Sequence, residues 1–295
     1  MKKTITTLII CLMLTKVFGQ SAPKPYGPLP TKGQLQWQET EMYCIIHFGP
    51  DTYTDKEWGY GDEDPEIVNP TEFSATQIVS SLKAGGFKGI VVVAKHHDGF
   101  CMWPTKTTKH NISKSPYKDG KGDIVKEYRE ACDKLGIKLG VYCSPWDRNS
   151  PLYGKPEYVT EVYRKQLQEL YSNYGPLFIV WHDGANGGDG YYGGAKEKRR
   201  IDGASYYDWP TTLNLVHSIQ ANVIFFSDAG PGVRWVGNES GVAGETNWNT
   251  ISTDTLYAGK AGIEKLLNTG SPDGNKWIPA EVDVSIRPGW FYHAK

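Results

Sequence analysis

The run Leu177-Phe178-Ile179-Val180 ends in Trp181-His182-Asp183-Gly184, so a stretch apolar enough to be a buried strand stops abruptly on an acid. Three other apolar runs end the same way. Tyr43-Cys44-Ile45-Ile46 leads into His47-Phe48-Gly49, and Gly89 through Ala94 leads into Lys95-His96-His97-Asp98-Gly99-Phe100. Leu139-Gly140-Val141-Tyr142 leads into Ser144-Pro145-Trp146-Asp147. A buried strand has no packing need for His, Trp and Asp at its tip, whereas a site built on the ends of parallel strands does. A second acid, Glu239, closes Arg234-Trp235-Val236-Gly237-Asn238-Glu239. Two carboxyl groups carried on different strands and converging on one ligand are the basic equipment for cleaving a glycosidic bond. One acts as a carboxylate at the anomeric carbon and the other delivers a proton. Glu245, six residues further on, is the rival for the second role.

His47, His96 and His97 fall on neighbouring strand ends. They have neither a His-x-His nor a His-Glu-x-x-His spacing, so hydrogen bonding to hydroxyl groups is favoured over metal ligation, and no metal or other cofactor is expected. The alternative is a metal-dependent barrel hydrolase using these three histidines with Asp183. Aromatic residues make up 13% of the chain, and many of the ten Trp stand beside acids or histidines, which suits stacking against sugar rings.

The elements that must position these groups alternate. Strands are expected at 43–48, 89–95, 137–143, 177–182 and 223–226, with further strand-like pieces at 241–248 and 277–286. Between them come helices at 75–84 (Ser74 as N-cap, Gly85-Gly86 as stop), 123–135 (closed by Gly136), 156–174 and 209–219. Residues 20–36 read as an extended lead-in and 184–205 as a long loop beside Asp183. Strand alternating with helix in this number predicts an α/β fold with its parallel sheet closed into a (β/α)8-like TIM barrel. No glycine-rich fingerprint supports a nucleotide site.

Residues 1–19 read as a secretory leader: Lys2 and Lys3, the apolar Leu8–Leu14, then Val17-Phe18-Gly19. An exported protein, periplasmic or secreted and not inserted in the membrane, is therefore expected. Losing Lys2, Lys3 and Lys16 takes the formal charge from −1 to −4, which gives nucleic acid no basic surface to bind. Cys44, Cys101, Cys132 and Cys143 remain, and are expected as reduced core thiols. Composition leaves the oligomeric state open.

Taken together, His47-Phe48-Gly49, Glu57-Trp58-Gly59, Lys95 to Phe100, Tyr142, Trp181 to Gly184 and Arg234 to Glu239 resemble glycoside hydrolase family 29, the retaining α-L-fucosidases. The Arg-Trp-x-Gly-Asn-Glu form resembles its branch acting on α-1,3- and α-1,4-linked fucose in Lewis-type glycans. The resemblance implies Asp183 as nucleophile and Glu239 as acid/base, with His47, Glu57, Trp58, His96, His97, Tyr142, Trp181, Arg234 and Trp290 lining a fucose subsite. It also implies fucosylated oligosaccharides or glycoconjugates as partners, and Arg234 close to the acids. A non-catalytic fucosylated-glycan-binding protein is the other alternative. The family pattern runs on past Lys295, so 20–295 is expected to be a catalytic barrel incomplete at its C-terminus, before a last barrel unit and a β-sandwich.

Overall fold

The computed structural model describes residues 22–294; the expected leader lies outside them. The first element, helix α1 (Lys32–Gln38), falls where sequence suggested an extended lead-in. Thr31 and Gln34 form a reciprocal capping box at its start. The Gln34 side-chain amide then donates to the Gly232 and Trp277 carbonyls at 2.9 and 2.7 Å, pinning α1 under distant strands.

Strand β1 (Tyr43–Ile46) is followed by the short helix α2 (Pro50–Thr54) and by α3 (Ala75–Ala84), capped by Ser74. Next come β2 (Gly89–Lys95), α4 (Ile124–Leu135), β3 (Lys138–Cys143) and a helix, α5, over 156–173. Helix α4 shows why the sequence was readable. Its Asp123 cap accepts from the Lys126 amide, Ile124, Tyr128, Ala131 and Cys132 line its buried face, and Gly136 ends it in a left-handed conformation at φ 69°. Helix α5 is interrupted by one wide π turn at Val159–Tyr163.

After β4 (Ile179–Trp181), the segment expected to be a loop carries an antiparallel hairpin, β5 (Gly187–Gly190) with β6 (Glu197–Arg200). Helix α6 (Trp209–Ile219) leads to β7 (Ile224–Phe226). The strand expected at 241–248 is irregular. The chain pairs instead at β8 (Arg234–Trp235) and β9 (Thr250–Ile251), followed by helix α7 (Glu264–Thr269), β10 (Lys276–Trp277) and β11 (Ala280–Glu281).

Strands β1-β2-β3-β4-β7 form one parallel sheet in that order. A parallel bridge from Phe226 to Val233 and the parallel β8–β11 pair carry the same direction onward. The sheet curls as a (β/α) barrel does, and alternation along the strands divides the core in two. Val91, Val93, Tyr142, Ile179, Trp181, Ile224 and Phe226 pack inside. Ile90, Val92, Leu139, Val141, Val180 and Phe225 pack outward against the helices. Strand β2 is buried along all seven residues, which explains its unbroken GIVVVAK pattern.

Candidate active site

Alternation decides which tip residues reach the barrel mouth. On β4, Trp181 points inward, stacked at 5.1 Å on Tyr142 and at 3.8 Å on Phe226. His182 points outward, its ring nitrogens 2.5 and 3.2 Å from the hydroxyls of Tyr163 and Tyr171 on α5. Burial drives its pKa down to about 3, so it is a neutral packing group. Asp183, one residue on, faces the mouth again.

Asp183 is held at both oxygens. Tyr142 donates its hydroxyl to Oδ2 at 3.0 Å, and the Ala185 amide donates to Oδ1 at 2.6 Å. His97 Nε2 lies 4.0 Å from the same Oδ2. On its other side, His97 Nδ1 is 2.7 Å from Ser144 Oγ, whose single proton is directed at the Trp146 carbonyl. That hydroxyl must therefore accept from His97, which assigns the ring proton to Nδ1 and leaves Nε2 as an acceptor facing the mouth. Burial, reinforced by neighbouring His96 and Arg148, keeps His97 well below the usual imidazole range.

An arc of rings joins Asp183 to the second acid. Tyr142 meets His47 at 6.1 Å between centroids, His47 meets Trp290 at 5.2 Å, and the Trp290 indole donates to Glu239 Oε2 at 3.1 Å. His96 stacks on Tyr142 at 5.9 Å and 18°. Trp58 stands half-exposed across the mouth, edge-on to His97 and Trp146. The sequence-predicted residues His47, Trp58, His96, His97, Tyr142, Trp181, Asp183, Glu239 and Trp290 are thus assembled around one opening. Glu239 is exposed there, not enclosed. Glu245 is exposed as well, but has no such tie to the ring arc.

Two predicted residues are placed differently. Arg234 is fully buried, and its guanidinium is spent on the carbonyls of Leu267, Ile278 and Trp248 and the side chain of Asn247. It braces the 247–278 loops and does not reach Asp183, because β8 turns it outward at a point where α7 and β10 offer bare carbonyls. Glu57 does reach the mouth, but both oxygens are occupied by the C-terminal segment. Trp290 and Phe291 donate backbone amides at 2.7 and 3.1 Å, and His293 Nε2 lies at 2.6 Å. Burial alone would raise its pKa, but the Trp290 amide, His293 and the Phe291 amide outweigh that and hold Glu57 below the usual carboxylate range.

Three further acids were not singled out from sequence. Asp228 follows β7, and burial with Asp183 nearby pushes it up to about 7. Glu281 ends β11, and Asp283 lies two residues beyond it. Glu281 Oε1 accepts from the Trp181 indole at 2.8 Å, while Asp283, pushed up to about 7 mainly by burial, faces both Glu239 and Asp183. Phe225-Phe226-Ser227-Asp228 is another apolar run ending in an acid, so the same signal that marks Asp183 marks Asp228.

A (β/α) barrel whose mouth is ringed by aromatic rings and carboxyl groups is of the glycosidase type. Within that type, the chain belongs to the alpha-L-fucosidase family, whose pattern matches residues 26–240. Alpha-L-fucosidase 1 of Arabidopsis thaliana is 43% identical over 272 residues, covering 92% of this chain and 51% of that protein. The structure of a glycoside hydrolase 29 family member from an unknown rumen bacterium superposes with a TM-score of 0.88 at 49% identity, over 92% of this chain and 48% of that one. A Ruminococcus gnavus family 29 fucosidase in complex with fucose superposes at 0.79 with 31% identity, over 94% and 59% of the two chains. The chain spans about half the length of the curated relatives it matches.

Proposed function

We propose that this chain is the catalytic domain of an exported, retaining α-L-fucosidase acting on α-1,3- or α-1,4-linked fucose of branched, Lewis-type glycans. The observation that carries the proposal is the continuous path from Asp183 through Tyr142, His47 and Trp290 to Glu239, which places two acids at the ends of one aromatic wall.

In the first step Asp183 attacks the anomeric carbon while Glu239 gives its proton to the glycosidic oxygen, so the aglycone leaves as an alcohol. In the second step Glu239, now a carboxylate, takes a proton from water. The resulting hydroxide equivalent displaces Asp183 and restores the starting α configuration. Retention calls for carboxyl groups roughly 5–5.5 Å apart across the sugar. The Asp183 oxygens are pre-set by Tyr142 and Ala185, so little reorganisation is needed before attack. Fucose carries a methyl group at C5, and a wall of Trp and His rings favours it by about 1–3 kcal/mol. Hydrogen bonds from buried His groups discriminate ring hydroxyls more strongly, since a mismatched sugar leaves them unpaired. Export rests on the leader-like residues 1–19, and linkage preference on the Arg234 to Glu239 motif.

The test is incubation with defined fucosylated oligosaccharides of several linkages, following released fucose and its first-formed anomer. Release of α-fucose from the α-1,3/1,4-linked compounds is expected. Asp183→Ala and Glu239→Ala should each lower turnover by at least about 10²–10⁴-fold, with azide rescuing the second. Unchanged turnover in Asp183→Ala, or fucose bound tightly but never released, would sink the proposal.

A further inference from the structure

Beneath the histidines of the mouth lies a buried polar cluster of which the proposed hydrolysis uses only His96. Asp51, in the first turn of α2, is fully buried, and neither of its carboxylate oxygens has a hydrogen-bond partner. His96 is buried beside it, and its Nδ1 is also without a partner. Nδ1 and Asp51 Oδ2 are 3.5 Å apart, yet they do not meet the geometry of an N–H···O bond. Both atoms are therefore left without a partner at one point in the interior.

Asp98 faces the same point. One carboxylate oxygen each from Asp51 and Asp98, together with a His96 ring nitrogen, lie within 4.8 Å of one another. A Cβ on Gly59 would collide with a carboxylate oxygen of Asp51, a carboxylate oxygen of Glu63 and the Cβ of Asp98, so Gly59 leaves room for these three acids to pack together. Glu63 is satisfied by the Tyr60 and Gly61 amides. The ion pair that reaches the cluster, Lys56 with Glu63 at 3.9 Å, comes from a half-exposed ammonium on its rim. The Asp51 carboxyl group is left with no donors and no water-facing surface, which is an unstable arrangement unless a cation or a proton fills it.

We propose that Asp51, His96 and Asp98 hold one first-row divalent cation, Zn²⁺ or Mn²⁺, as a structural brace under the sugar pocket. Two carboxylates with one imidazole suit these ions better than Ca²⁺, which takes oxygen ligands. A separation of 3.5 Å between ligand atoms is close to the tetrahedral edge expected for metal–ligand bonds of about 2.1 Å. Ligation through Nδ1 leaves the ring proton of His96 on Nε2 and fixes the plane of the ring stacked on Tyr142. This site differs from the trio His47, His96 and His97 that sequence brought forward, sharing only His96. It stands independently of the fucosidase assignment.

The test uses the full chain, purified without chelator or metal-affinity steps, incubated with Zn²⁺ or Mn²⁺ alone and then dialysed. Close to one equivalent of one ion per chain is expected by mass spectrometry of the metal. Dialysis against a chelator should remove it and lower the thermal midpoint by roughly 5 °C, and re-addition should restore both. Asp51→Asn should abolish retention of the ion and sensitivity to chelator. If that variant does not fold, Asp98→Asn gives the same comparison, and the metal content of the unmodified chain is decisive by itself. Neither ion retained by the unmodified chain, with the same midpoint with and without them, overturns the site. Loss of ion with hydrolysis of fucosides intact would still support the brace, while hydrolysis absent with the ion retained would count only against the fucosidase assignment.

Discussion

Trp290 binds two acids at once: its indole N–H donates to Glu239 Oε2 at 3.1 Å, and its backbone N–H donates to Glu57 Oε2 at 2.7 Å. The proposed acid/base, itself on an exposed loop, is thereby tied to a residue that follows α2 on the other side of the mouth. Trp290→Phe keeps an aromatic wall and removes only the donor to Glu239. A loss of about tenfold in kcat is expected, equivalent to about 1.4 kcal/mol and within the range of one ordinary hydrogen bond that positions the Glu239 carboxyl group. The loss should be larger for a substrate with a poor leaving group, which depends on proton delivery, and smaller for an activated aryl glycoside. Equal losses on both substrates would show that Trp290 acts on binding and leaves proton delivery untouched.

At the other end of the arc, Tyr142 donates to Asp183 Oδ2 at 3.0 Å, and burial beside that carboxylate lifts the phenol well above its ordinary pKa. The hydroxyl therefore stays protonated and remains a donor across the working range. Tyr142→Phe preserves the stack on Trp181 but frees one carboxylate oxygen to rotate. Expected is a fall in kcat of about 10–100-fold with little change in thermal midpoint, measured by steady-state kinetics and calorimetry. An unchanged kcat would mean that the Ala185 amide alone fixes Asp183.

The acids of the mouth also set how stability depends on pH. Asp228 is raised from an ordinary 3.8 to about 7 by burial and by Asp183. The folded chain thus holds a proton that the unfolded chain releases near pH 4. Its contribution to stability is fully present below that value and is lost as pH rises through about 7. The thermal midpoint should fall between pH 5 and pH 8 on this account. In Asp228→Asn, which cannot ionise and so mimics the protonated group, that fall should be shallower. Asp283 and Glu281, raised in the same direction by burial, contribute to what remains. A slope identical in Asp228→Asn and the unmodified chain would remove Asp228 as its source.

How far sequence anticipates this site depends on the kind of signal. Strands β1 to β4 and β7 are legible because parallel strands buried on both faces need continuous apolar residues. Helices α3 and α4 are legible through a capping Ser or Asp and a terminal glycine. Asp183 is legible for the same reason, as an acid where the apolar run must end. The inward turn of Trp181 and Asp183 against the outward turn of His182 is a matter of register, fixed by pairing with β7. Arg234 misled, since nothing in its motif shows that bare carbonyls at Trp248, Leu267 and Ile278 wait for its guanidinium. Asp51 on α2 lies 47 residues before Asp98, which follows His96 closely in the chain after β2, and only the fold brings Asp51 to that pair. Strands β8 to β11 are two residues each, too short for a period-2 pattern to show.

Gly184 separates the two functions of its neighbours. It follows Asp183 directly, and a Cβ placed on it would overlap the carboxyl group of Asp228. Asp228 has little room to retreat, for its Oδ2 accepts from the Gly259 amide at 2.9 Å, and Gly259 itself abuts the Gly184 carbonyl and Asn186. Gly184→Ala should therefore shift the 183–186 backbone away from Asp228 and carry the Asp183 carboxylate off the Tyr142 hydroxyl. Expected are a kcat loss of at least about 100-fold and a stability loss of about 1–3 kcal/mol, the usual cost of overpacking. Gly136→Ala is the matched control. Gly136 has positive φ but open space where a Cβ would stand, so only backbone strain of roughly 1 kcal/mol should follow, with kcat unchanged. If the two variants lost activity equally, contact with Asp228 would not be what makes glycine necessary after Asp183.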